Sequence, residues 1–147
     1  MRIKIFIILL LSSLSIYAQT DLAISRFFDG KYNKSEQAIV TLLKGKKLIP
    51  YNLSLFHSIS LENSPDDIKQ FEMAVMKDKE KAKQVELVNA ENKVLACYLQ
   101  LPPATSGSKQ NRFILFRSPA PDQATLIYME GDTDLNSLIK IFITKKK

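Results

Sequence analysis

The chain has 147 residues, 46% hydrophobic and 24% charged, with a formal net charge of +6, one cysteine and one histidine. That length holds one core rather than two domains, and the composition excludes a disordered or collagen-like chain. A lone cysteine excludes an intramolecular disulfide, and with a lone histidine it excludes the common Cys/His zinc sites within one chain.

Arg2 and Lys4 precede an unbroken apolar run from Ile5 to Leu11, extended by Leu14 and Ile16, and Ala18 stands before Gln19. This pattern reads as a secretory signal peptide over residues 1–18. The run falls short of the roughly 20 apolar residues that a membrane-spanning helix needs. Cleavage is expected after Ala18, with a retained anchor the alternative, since Ile16 stands where a small residue is commoner. The expected mature chain, residues 19–147, is a single globular domain exported to the periplasm or beyond. Loss of Arg2 and Lys4 lowers its charge to +4.

Residues 21–28 read as a short helix opened by an Asp21 cap and closed at Asp29-Gly30. Residues 36–43 read as a strand, with a second helix the alternative, ending at Lys44-Gly45-Lys46-Lys47. In YNLSLFHSISLE, Leu53, Leu55, His57, Ile59 and Leu61 alternate with Ser54, Phe56, Ser58 and Ser60, the period of a strand with one apolar face. Ser64-Pro65-Asp66-Asp67 carries a cap residue, a proline at the first helical position and acids in the first turn. Ile68, Phe71, Val75 and Ala82 then recur at helical spacing, predicting an amphipathic helix from Pro65 to about Lys83.

Val85 to Val88 and Lys93 to Leu101 read as strands around the turn Asn89-Ala90-Glu91-Asn92. Residues 102–111, PPATSGSKQN, form the one long breaker-rich loop, a candidate mobile or binding segment. RFILFR and ATLIYME follow as strands apolar on both faces, which places them at the centre of a sheet covered on both sides. Gly131-Asp132-Thr133-Asp134 is a turn and helix cap, and Leu135, Leu138, Ile139 and Phe142 make the stripe of a final helix from Asp134 to Thr144. The expected fold is therefore α+β: an antiparallel sheet of about five or six strands with two main helices and the short N-terminal helix.

Little in the pattern carries chemistry. His57 and Ser58 are adjacent on a strand, so they point to opposite faces and cannot serve as base and nucleophile. Cys97 is in phase with Leu95, Leu99 and Leu101, which suits a buried thiol acting as a small hydrophobe. The acid pairs Asp66/Asp67 and Asp132/Asp134 each open a helix, where the helix dipole favours carboxylates. The four glycines are scattered, so no phosphate-binding loop is present. Arg112-Phe113 and Phe116-Arg117 place aromatics beside basic residues, but on a strand better explained as core, and no nucleic-acid partner is expected. No catalytic residue, metal ligand or cofactor is assigned.

The succession FFDGKY, YNLSLFHSIS, DKEKAKQ, CYLQLPP, NRFILF and TLIYMEG, with a leucine-bearing terminal helix, resembles a family of small exported Bacteroidota proteins known only as a domain of unknown function. The resemblance spans nearly the whole mature chain. It implies an envelope or secreted location and an α+β domain, and it implies no catalytic residue. It also leads one to expect a lysine or arginine where His57 stands, so no role needing a fixed positive charge falls there.

The function expected from these readings is a non-enzymatic binding or interaction domain, its partner an envelope or extracellular protein. A hydrolase acting on envelope or dietary polymers, with Glu62, Asp66 and Glu130 as its available acids, is the alternative. Lysine runs ordinarily serve as solvated faces. Lys44, Lys46 and Lys47 together with Lys145 to Lys147 would nevertheless allow peripheral docking on an anionic surface. Homodimerisation through an uncovered sheet face is a further expectation.

Overall fold

The computed structural model describes residues 21–142. Six strands, β1 (Ala38–Lys44), β2 (Leu53–Glu62), β3 (Gln84–Ala90), β4 (Lys93–Leu101), β5 (Asn111–Ala120) and β6 (Gln123–Gly131), form one sheet in the order β1-β2-β6-β5-β4-β3. Every neighbouring pair is antiparallel. The helices α1 (Pro65–Asp78) and α2 (Leu135–Phe142) lie on opposite faces of it, since their apolar residues belong to separate buried clusters. The mixed α+β fold and the antiparallel sheet agree with the sequence reading, and RFILFR and ATLIYME are indeed the central strands.

Alternation along the strands distributes the core. Ile59, Leu61, Leu126, Tyr128, Ile114, Phe116, Cys97 and Leu99 face α1, which contributes Ile68, Phe71, Ala74 and Val75. Phe113, Leu115, Met129, Ala96 and Tyr98 face the other way, under Leu135 and Leu138 of α2 and Leu48 from the 3-10 segment between β1 and β2. Phe71, Phe113, Phe116 and Tyr128 are fully buried. Each such side chain contributes on the order of 2–3 kcal/mol of burial free energy.

Several boundaries differ from expectation, each for a local reason. The N-terminal segment is not an α-helix capped by Asp21: Ala23–Phe27 is a five-residue 3-10 turn with no side-chain cap of its own. Asp21 is drawn instead to Arg112. α1 stops at Asp78 rather than near Lys83, because the chain tightens into a 3-10 turn over Lys79–Lys81 and the Lys83 N–H already donates to the Gln100 carbonyl at 2.7 Å. Ser64 precedes α1 without capping it, its hydroxyl donating to the Glu62 carbonyl. β3 runs two residues further, through Asn89 and Ala90, leaving Glu91 and Asn92 at φ 50° and 66° as the tight turn of the hairpin. Two left-handed residues are what a type I′ connection requires. Thr144, the expected end of the last helix, lies outside the described residues.

Three register shifts break the strict period, one of them between Arg117 and Ala120 where β5 approaches its turn into β6. Between Leu53 and Leu55 the register of β2 against β6 shifts, so Leu53 joins the α2-side core while Leu55, His57, Ile59 and Leu61 keep to the α1 side. Gly131 sits opposite that bulge, where a Cβ would come within 2.3 Å of the Asn52 carbonyl oxygen; only glycine fits. A second shift between Val88 and Asn89 leaves Leu95 as the extra residue of β4, so Val94 rather than Leu95 packs on the cluster containing Cys97.

Candidate functional site

Two clusters of polar groups lie on the α1 side of the sheet, one at the β1 edge and one over β5. At the β1 edge, Val40 and Leu42 project on the same face as His57, which is registered between Leu42 of β1 and Tyr128 of β6. The segment after the 3-10 turn folds over them. Asp29 Oδ1 accepts from the Lys31 N–H at 3.1 Å, Gly30 takes φ 99°, and the Asn33 N–H donates to the Gly30 carbonyl at 3.1 Å. The result is an open groove of about 530 Å³ lined by Phe28, Asp29, Gly30, Asn33, Val40, Leu42 and His57.

The groove lining mixes apolar Phe28, Val40 and Leu42 with polar Asp29, Asn33 and His57. The His57 ring packs against Phe28 with centroids 4.6 Å apart and planes tilted by 54°. Burial, aided by the Lys44 charge, lowers its pKa below the ordinary histidine value, so the imidazole is neutral at neutral pH and offers one donor and one acceptor. Neither His57 nor the side chain of Asn33 hydrogen-bonds to another described residue, so both retain their capacity for a ligand. Beside the groove β1 is the sheet edge, with Ile39 72% and Leu42 52% exposed.

Over β5 the polar groups are instead consumed by one another. Arg112, only 4% exposed, donates from Nε to the Pro102 carbonyl at 2.8 Å and from Nη1 and Nη2 to the Asp21 carboxylate at 2.6 and 3.3 Å. Lys81 donates to the Asp21 carbonyl oxygen, and the Tyr128 hydroxyl donates to Glu130 Oε2 at 2.6 Å. Asp78 accepts from the backbone N–H groups of Ala23 at 2.6 Å and Ile24 at 3.1 Å, capping the 3-10 turn from a distant part of the chain. Burial raises the Asp78 pKa and the two N–H groups offset this only in part. Burial also pushes Asp21 upward, but its bond to Arg112 and the Arg112 charge outweigh this and hold it below the ordinary aspartate value. Arg112 thus ties the N-terminal segment to β5, Asp78 and Lys81 tie it to α1 and the 3-10 turn that follows, and Tyr128 and Glu130 bond each other within β6. A model of a family of unknown function, DUF6108, matches residues 11–142.

The chain belongs to that family. No curated protein matches it. In this DUF6108 member the acids considered from sequence do not converge. Glu62 ends β2 opposite Gln123, Asp66 lies exposed in the first turn of α1, and Glu130 pairs opposite Leu55 at the other end of β2. Seven residues of strand between Leu55 and Glu62 span about 23 Å, well beyond the roughly 5–9 Å of a glycosidase pair. Among the described residues no three of His, Cys, Asp and Glu come together as a metal would need, and no helix is long and apolar enough to cross a membrane.

The remaining sequence candidates fall as follows. Ser58 lies on the α2 face, away from His57, and Cys97 is fully buried with its thiol pushed up to about 11 by burial. The 102–111 loop contributes nothing to the groove; Gln110 instead accepts from the Ser54 hydroxyl at 2.6 Å. Lys44, Lys46 and Lys47 are exposed at the C-terminal end of β1, while Lys145 to Lys147 lie outside the described residues. Sequence reasoning passed over the groove itself. Phe28 to Asn33 read only as a helix end, and no local pattern reports that this segment folds back over β1.

Proposed function

We propose that this protein is a non-enzymatic binding domain exported to the envelope of a Bacteroidota cell, and that its binding site is the groove between the Phe28–Asn33 segment and the edge strand β1. The observation that carries this reading is the contrast in hydrogen bonding. The buried polar groups of the Arg112 clamp are spent within the protein, whereas His57 and Asn33 line an open groove, beside the apolar Phe28, Val40 and Leu42, with no partner among the described residues. A concave apolar surface with a few unspent polar groups is the usual form of a recognition site. A hydrolytic reading has no comparable support, because Glu62 and Glu130 lie at opposite ends of the β2–β6 pair and Asp66 stands exposed in the first turn of α1.

A photoreactive residue placed at Leu42 in the exporting cell tests the reading. It should give a discrete covalent adduct that the same residue at Leu87, on the opposite edge strand, does not give. The absence of any adduct specific to position 42, or secreted hydrolytic activity abolished by Glu130→Gln, would refute it.

A further inference from the structure

The two edges of the sheet are not equivalent, and the difference names the kind of partner. β3 carries a device that keeps an edge strand unpaired, the charge of Glu86 in mid-strand, and its register against β4 is broken at Val88/Asn89 by the extra residue Leu95 of β4. β1 carries neither. Its pairing with β2 is uninterrupted over seven residues, its sequence AIVTLLK is uncharged until the last position, and Ile39 and Leu42 project into solvent from opposite faces. Among the described residues no strand covers its outer side, so its outward backbone groups are open to pairing beyond Ala38, whose N–H donates to the Ser35 carbonyl.

Resting on the groove reading above, we propose that β1 takes an extended segment of a partner protein as a seventh strand, seating one of its apolar side chains in the groove beside His57. In strand addition the main chain supplies affinity and a pocket for alternate side chains supplies specificity. Val40 and Leu42 of β1 line the groove, so a side chain on the α1 face of an added strand stands beside them, within cross-strand reach of it. Antiparallel addition continues the pattern of the whole sheet and is the more stable pairing.

Charge separates the two available occupants. Lys31, Lys34, Lys44, Lys46 and Lys47 flank the edge against only Asp29 and Glu36, and none of these lysines has a carboxylate partner within the described residues. A second copy added antiparallel would set Lys44, Lys46 and Lys47 against a flank where Lys31 and Lys34 cancel Asp29 and Glu36, so it gains no net attraction. An acidic segment is attracted, above all by Lys44, Lys46 and Lys47 at the C-terminal end of β1. In antiparallel addition that end meets the beginning of the incoming strand. The recognised sequence is therefore one or more acids followed by alternating apolar residues.

Selection of a random peptide display library on the purified full chain tests this. The enriched peptides should carry acids N-terminal to an apolar/polar alternation and slow amide exchange along β1. Ile39→Lys should abolish their binding, whereas Leu87→Lys on β3 leaves it unchanged. Replacing Lys44, Lys46 and Lys47 by glutamate should weaken it about ten- to hundredfold, since each exposed pair contributes up to about a factor of five. Failure to enrich any such peptide, enrichment without acids, or binding indifferent to Ile39→Lys would overturn the proposal. So would a dimer in sedimentation equilibrium that Ile39→Lys dissociates, because the second copy would then hold the edge. An adduct at Leu42 in the cell together with failed selection would leave the binding-domain reading standing and remove strand addition.

Discussion

The Arg112 clamp and the His57 groove occupy the same face of one sheet, yet one is saturated and the other is not. In the clamp a guanidinium that is almost wholly buried is satisfied by Pro102 and Asp21, and Asp78 closes the 3-10 turn of the N-terminal segment. In the groove His57 rests on Phe28 and leaves its nitrogens to whatever enters. The comparison teaches that the buried polar groups of the clamp are spent on internal partners, while a half-exposed group such as His57 stays available to a ligand. Substitutions should therefore divide: clamp variants change stability and spare binding, groove and edge variants do the reverse.

The largest stability effect is expected at Asp78. Asp78→Ala strands the N–H groups of Ala23 and Ile24 in the interior, and the loss of about 2–4 kcal/mol should appear in urea unfolding at neutral pH. A loss under 0.5 kcal/mol, about that of an ordinary surface change, would show that the N-terminal segment is held by its apolar contacts alone.

Asp21→Asn comes next. Arg112 keeps Pro102 but loses its counter-charge, and because Asp21 is 51% exposed the cost is about 1–2 kcal/mol rather than that of a fully buried pair. The pH dependence has a defined sign. The carboxyl pKa is lower in the folded protein than its ordinary 3.8, so the stabilisation is complete above 3.8 and disappears as pH falls through the native value. The wild-type and Asp21→Asn curves should converge in that acid range; a constant gap would mean that Asp21 acts through shape.

His57 should give a small effect with a different signature. The imidazole pKa is lower in the folded state than the ordinary 6.5, so the folded protein resists protonation and loses stability as pH falls from 6.5 through the native value. His57→Leu should remove that acid-side decline while changing stability at neutral pH by less than about 1 kcal/mol. Thermal melts at several pH values compare the two directly, and an unchanged decline would place its origin elsewhere.

The smallest stability change is expected at the edge. Ile39→Lys replaces a side chain that is 72% exposed, so unfolding free energy should move by no more than about 0.5 kcal/mol. Circular dichroism melts of this variant beside Leu87→Lys measure it. A large loss would show that Ile39 is buried against part of the protein outside the described residues and would withdraw β1 as a free edge.

Much of the fold was legible because it is written in local periods. Alternation in LFHSISL, two-sided apolarity in RFILF and TLIYM, and the Ser-Pro-Asp-Asp start of α1 each express a neighbour-to-neighbour constraint that survives without tertiary knowledge. The misreadings cluster where distant groups compete for the backbone. α1 ends early as the chain after Asp78 tightens to join the sheet, Asp21 leaves its cap for Arg112 across 91 residues, and two bulges move Leu53 and Val94 to faces that strict alternation denies them.

The site divides in the same way. The sequence by itself determined that Glu62, Asp66 and Glu130 lie on separate elements, that His57 and Ser58 point apart, and that Lys44, Lys46 and Lys47 follow a short apolar strand, because strand pleat and sequence separation decide such things. Only the tertiary structure decided that β1 is an edge, that Phe28 to Asn33 cover it, and that His57 lies between them. Strand order is set by which apolar faces the two helices can bury together, a sum over the whole sheet that no window of sequence contains.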